Sequence, residues 1–82
     1  MDESAILAEL GRRIRAQRKR VGLTQEQLAL IAGVDRSYCG SIERGERNIT
    51  FTVLCRLAAA MEADIAALTT GLPAPVTEMA AR

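Results

Sequence analysis

Apolar residues recur at three- and four-residue steps from the start of the chain. Leu7, Leu10, Ile14 and Val21 form one stripe with basic residues between them, which predicts an amphipathic first helix from Leu7 to just before Gly22. Gln17 holds the one polar position on that stripe. Thr24-Gln25-Glu26-Gln27 then has the form of a capping box, in which the threonine hydroxyl accepts a first-turn amide and Gln27 reaches back to the Thr24 N–H. The second helix that starts there is expected to bury Leu28 and Ile31, to keep Ala29 and Ala32 small, and to stop at Gly33. Asp35 is suited to cap a third helix that carries Cys39 and Ile42 inward and ends at Gly45. After the polar Glu46-Arg47-Asn48, Thr50 caps a fourth helix with the stripe Leu54, Leu57, Ala58 and Met61, and Asp64 caps a short fifth with Ile65 and Leu68. No segment alternates with strand period, so the fold class is all-α.

Eighty-two residues support one core, and at that size folding removes only about 60% of the chain's surface from water. A partner subunit would add to this thin core. Gly71, Pro73 and Pro75 interrupt helical periodicity, which divides the chain into a domain over 1–72 and a flexible tail over 73–82. With no basic-then-apolar leader and no apolar run near about 20 residues, a soluble cytoplasmic protein is expected. Cys39 and Cys55 fall at apolar periodic positions in a chain without histidine, so they read as reduced core residues; no metal and no cofactor is implied. The lack of a histidine base, a metal cluster and a glycine-rich phosphate loop speaks against an enzyme.

Net charge is only +1, but its distribution is uneven. Arg12, Arg13, Arg15, Arg18, Lys19 and Arg20 follow one another without an acid, flanked by Asp2, Glu3 and Glu9 before and by Glu62, Asp64 and Glu78 after. That run reads either as a basic binding face or as a solvated helix surface.

Helices two and three are joined by a tight turn at Gly33-Val34, with small Ala29 on the first and apolar Cys39 and Ile42 on the inner face of the second. This pattern is what two closely crossing helices require. The stretch from Leu23 to Ala29, followed by Ala32-Gly33-Val34-Asp35-Arg36-Ser37-Tyr38 and Ile42-Glu43-Arg44-Gly45, resembles the Cro and phage-repressor (Xre-like) type of helix-turn-helix family. Within it, Asp35 to Tyr38 together with Ile42 to Asn48 is most similar to controller proteins of restriction-modification systems. The resemblance covers about Leu10 to Leu68 and implies a five-helix, lambda-repressor-like domain that binds double-stranded DNA, with the recognition helix over Arg36 to Arg44.

In that geometry the N-terminal part of the third helix reaches base edges in the major groove. Arg36, Ser37 and Ser41 are then the base readers, Arg36 through paired hydrogen bonds to a guanine. Gly40 removes a side chain between them and permits closer approach. Phosphate contacts fall to Gln25 at the start of helix two and, by resemblance, to Arg44, Arg47 and Asn48. Tyr38 has two readings, contact with DNA or packing against helix two. The resemblance also implies an ion pair between Arg18 and Glu43 that fixes helix three against helix one. Gln17 and Cys39 depart from the leucine and the isoleucine or valine usual in relatives.

One reading helix covers few base pairs, so a homodimer on a two-fold symmetric operator is expected. Its interface is placed on helices four and five, at Phe51, Val53, Ile65 and Leu68, with ordinary core as the competing reading, above all for Leu68. Controller proteins would regulate their own gene and that of an endonuclease, which brings in RNA polymerase as a further candidate partner. A phage-type repressor, an antitoxin component and a protein-interaction module without DNA binding are the alternatives.

Overall fold

A computed structural model describes residues 1–73; the remainder of the expected tail lies outside the described residues. Five helices follow in order: α1 (Glu3–Arg20), α2 (Gln25–Ala32), α3 (Arg36–Glu43), α4 (Phe51–Ala60) and α5 (Ile65–Thr69). No strand and no helix long and apolar enough to cross a membrane occurs among the described residues.

The first helix begins earlier than its apolar stripe. The Asp2 carboxylate accepts from the Ala5 amide at 2.8 Å and Glu3 lies in the first turn, so the helix is capped before Leu7 is reached. Its other end closes with the Leu23 amide on the Arg18 carbonyl at 3.0 Å, around Gly22 at φ 77°. The capping box of α2 is formed in both directions: Gln27 N–H to Thr24 Oγ1 at 3.1 Å and Thr24 N–H to Gln27 Oε1 at 2.9 Å. Gly33, at φ 71°, ends α2, and the Val34 amide returns to the Ala29 carbonyl at 2.9 Å.

Four expectations need correction. Cys55, expected in the core with Cys39, is only half-buried on α4 and lies outside the core cluster. Ile31 is 59% exposed, because Leu28, Ala29 and Ala32 span the single arc of an eight-residue helix that faces the core and Ile31 falls outside it. Asp35 and Asp64 take the extended N-cap backbone, but neither side chain makes a cap hydrogen bond, unlike Thr50, whose hydroxyl accepts from the Val53 amide at 3.2 Å. Leu68 is 2% exposed and belongs to the core, while Val53 and Ile65 pack partly against that core; of the four interface candidates only Phe51, at 67%, stands well into solvent.

The core joins Leu10 and Ile14 of α1, Leu28, Ala29 and Ala32 of α2, Cys39 and Ile42 of α3, Leu54, Leu57, Ala58 and Met61 of the α4 region, and Leu68 of α5. Helix α1 lies across both α3 and α5, and α2 packs on α3 and α4. Two glycines set how closely α1 meets the end of α3. A Cβ at Gly11 would overlap the Ile42 carbonyl oxygen, and one at Gly45, itself at φ 74°, would lie 2.8 Å from Ala8 Cα. On the other side, the polar interruption of the α1 stripe is satisfied: Gln17 Nε2 donates to the Met61 carbonyl at 3.0 Å. One turn earlier Arg13 Nη1 donates to the Leu68 and Thr70 carbonyls at 3.3 and 2.6 Å, closing the end of α5.

Candidate nucleic-acid interface

Helix α3 is divided lengthwise. Cys39, Gly40, Ile42 and Glu43 are buried, whereas Arg36, Ser37 and the capping Arg44 are exposed and Ser41 is half-buried. The three residues expected to read bases therefore share the outer part of one short helix. Ser41 donates its hydroxyl to the Ser37 carbonyl at 2.9 Å, which commits its proton and leaves the oxygen able only to accept.

The loop after α3 is tied back to the helix by Tyr38. Its hydroxyl donates to the Asn48 carbonyl at 3.3 Å, the Arg47 guanidinium lies 5.4 Å from its ring centre, and the ring packs partly against the core. Tyr38 thus braces the segment that carries Arg47 and Asn48. Arg44 Nε lies 3.1 Å from Glu46 Oε1 with both side chains more than half exposed, a screened pair that leaves the guanidinium accessible.

Beneath this surface the expected ion pair is formed. Arg18 Nε and Nη2 donate to the two Glu43 oxygens at 2.6 and 3.0 Å, with side-chain exposures of 9% and 2%, and Arg18 Nη1 reaches the Leu23 carbonyl at 2.8 Å. The hydrogen bonds to Glu43 raise the Arg18 pKa further, against the cost of burial. A third member, without a local signature in the chain, joins them: Gln25 Nε2 donates to Glu43 Oε1 at 3.1 Å. Gln25 and Arg44 both border Gly40, where an added Cβ would lie 3.1 Å from Arg44 Nη1 and 3.4 Å from Gln25 Oε1.

The basic run of α1 is not one binding face. Arg12 and Arg13 both pair with Glu9, at 2.7 and 2.8 Å, Arg13 also closes α5, and Arg18 is buried. Arg15, Lys19 and Arg20 are the exposed remainder, Arg20 donating to Gln17 Oε1 at 3.1 Å. No group of metal-ligating side chains occurs among the described residues.

Comparison with known proteins gives this arrangement its context. Residues 14–68 match the helix-turn-helix family model. The chain is 46% identical over 70 residues, 85% of its own length and 80% of the relative's, to the control protein C.SmaI of Serratia marcescens. In structure it is similar to the restriction-modification controller protein C.AhdI of Aeromonas hydrophila, with a TM-score of 0.76, 42% identity, and 78% of this chain and 97% of that one covered. It is also similar to the controller protein C.Esp1396I as a tetramer on its natural 35 base-pair operator, with a TM-score of 0.71, 32% identity, and 77% and 83% covered. The divided α3, the braced loop and the buried anchor beneath them are the parts of a chain that belongs to the helix-turn-helix family of DNA-binding transcription regulators, of the restriction-modification controller type.

Proposed function

We propose that this protein regulates transcription as a homodimer on a two-fold symmetric operator, with α3 in the major groove. The observation that carries the reading is the division of α3: its inner face is locked into the core while Arg36 and Ser37 stand free at its N-terminal end. Arg36 there reads guanine through O6 and N7, and Ser37 and Ser41 add shorter, less discriminating contacts. Gln25, Arg44, Arg47 and Asn48 hold phosphates on either side, and Tyr38 keeps the loop pair in place rather than contacting DNA first.

Dimerisation through α4 and α5 is supported by Phe51, a 67% exposed aromatic side chain at the start of α4. Leu68 has no part in it, so the contact centres on Phe51 and the outer edges of Val53 and Ile65. The operator-bound assembly of C.Esp1396I supports oligomeric binding in a similar protein.

Selection from random duplexes, with sedimentation of the free protein, tests both parts. The enriched site should be two-fold symmetric with half-sites about 34 to 36 Å apart. Phe51→Glu should give a folded monomer that has lost specific binding at concentrations where the parent binds. A parent that sediments as a monomer at tens of micromolar and binds a half-site one-to-one with undiminished affinity would rule out the dimer; no retention of any duplex at low salt would rule out DNA binding.

A further inference from the structure

We propose that Glu43 is a positioning residue for DNA binding, in that its carboxylate fixes the direction in which Gln25 presents its carboxamide. This rests on the reading that Gln25 holds a phosphate. Glu43 Oε2 is taken by Arg18 Nε at 2.6 Å, while Oε1 accepts both Arg18 Nη2 at 3.0 Å and Gln25 Nε2 at 3.1 Å. A carboxylate can only accept, so it fixes which end of the Gln25 amide faces inward. The nitrogen points at Glu43 with one hydrogen engaged, and its second hydrogen remains for an anionic oxygen. The Gln25 oxygen is held over Gly40, where a Cβ would be only 3.4 Å away.

A glutamine without this restraint would turn its amide over freely and spend part of its time directing the carbonyl oxygen at the phosphate. The buried Arg18–Glu43 pair thus reaches beyond the packing of α1 on α3. It joins three helices, and through Gln25 it sets one contact of α2 with the DNA backbone.

The test is the effect of Gln25→Ala on operator affinity in three backgrounds. The parent has both the ion pair and the acceptor. Arg18→Met with Glu43→Gln loses the charges and, because a glutamine can donate as well as accept, also the restraint on which end of Gln25 faces inward; Arg18→Met with Glu43→Met removes the partner outright. Gln25→Ala should weaken binding about five- to tenfold in the parent and by about half that factor in the other two. An equal loss in all three overturns the positioning role and leaves the phosphate contact standing. No loss in the parent overturns the phosphate reading, and this proposal with it. Should the methionine pair fail to fold, side-chain amide relaxation in the free parent decides: the Gln25 carboxamide should be as restrained as that of Gln17, and free averaging overturns the proposal.

Discussion

Gly11 lies directly against the carbonyl of Ile42, so that a Cβ on the glycine would overlap that oxygen and come within 2.6 Å of the Glu43 carbonyl oxygen. The contact is backbone to backbone, between the middle of α1 and the last turn of α3. Neither partner can yield by rotating a side chain. Gly11→Ala should therefore destabilise the fold by about 2 to 3 kcal/mol, more than the helix-propensity gain returns, as measured by urea unfolding. An alanine variant as stable as the parent would mean that α1 and α3 are not this close.

Arg18 and Glu43 should behave as a unit. Either one replaced by methionine leaves a buried charge without its partner and should cost about 3 kcal/mol, whereas the double replacement should recover much of the loss. A double-mutant cycle by denaturation checks this, and additive losses would show that the two side chains do not interact.

Base and phosphate contacts should separate by their response to sequence and salt. Arg36→Ala should lower specific affinity by about 1 to 3 kcal/mol with little change on random duplex. Arg47→Ala should weaken both alike and flatten the salt dependence by about one counterion. Equal losses on the two duplexes for Arg36 would move it to the phosphate group.

The Glu9 carboxyl is held down to about 2, below its ordinary 4.5, first by hydrogen bonds from Arg12 and Arg13. Because the folded value is the lower one, the stabilisation it confers is present above about pH 4.5 and is lost as pH falls from there toward 2. Carboxyl chemical shifts followed through this range should show the low midpoint, rising toward the ordinary value in Arg12→Ala and in high salt, since the pair is exposed. A Glu9 midpoint near 4.5 in the parent at low salt would contradict the pairing.

How legible these features were depends on the distance over which each is decided. The Thr24–Gln27 box, the Gly33 turn and the inward Cys39 and Ile42 are local patterns, and each is found where periodicity and capping put it. Ile31 is apolar but lies at the edge of the arc that α3 and α4 cover, which Leu28, Ala29 and Ala32 fill, so its residue type alone does not place it inside. The α1 run read as a charge block but resolves into separate roles, since Glu9, the end of α5 and Glu43 each claim arginines from it. The Gln25–Glu43 bond spans 18 residues and the Gly11 contact joins α1 to α3; neither has a local signature, because both exist only once the helices are assembled.

The two cysteines differ in a way that makes the chain its own clock. Cys39 sits fully buried on the inner side of α3 with its thiol pushed up by that burial, while Cys55 on α4 is half-buried. A thiol reagent should thus modify Cys55 in the intact domain but reach Cys39 only when α3 lifts from the core. The rate of Cys39 labelling measures how often α3 detaches, and under the proposed mode of binding operator DNA should slow it while leaving Cys55 as the internal reference.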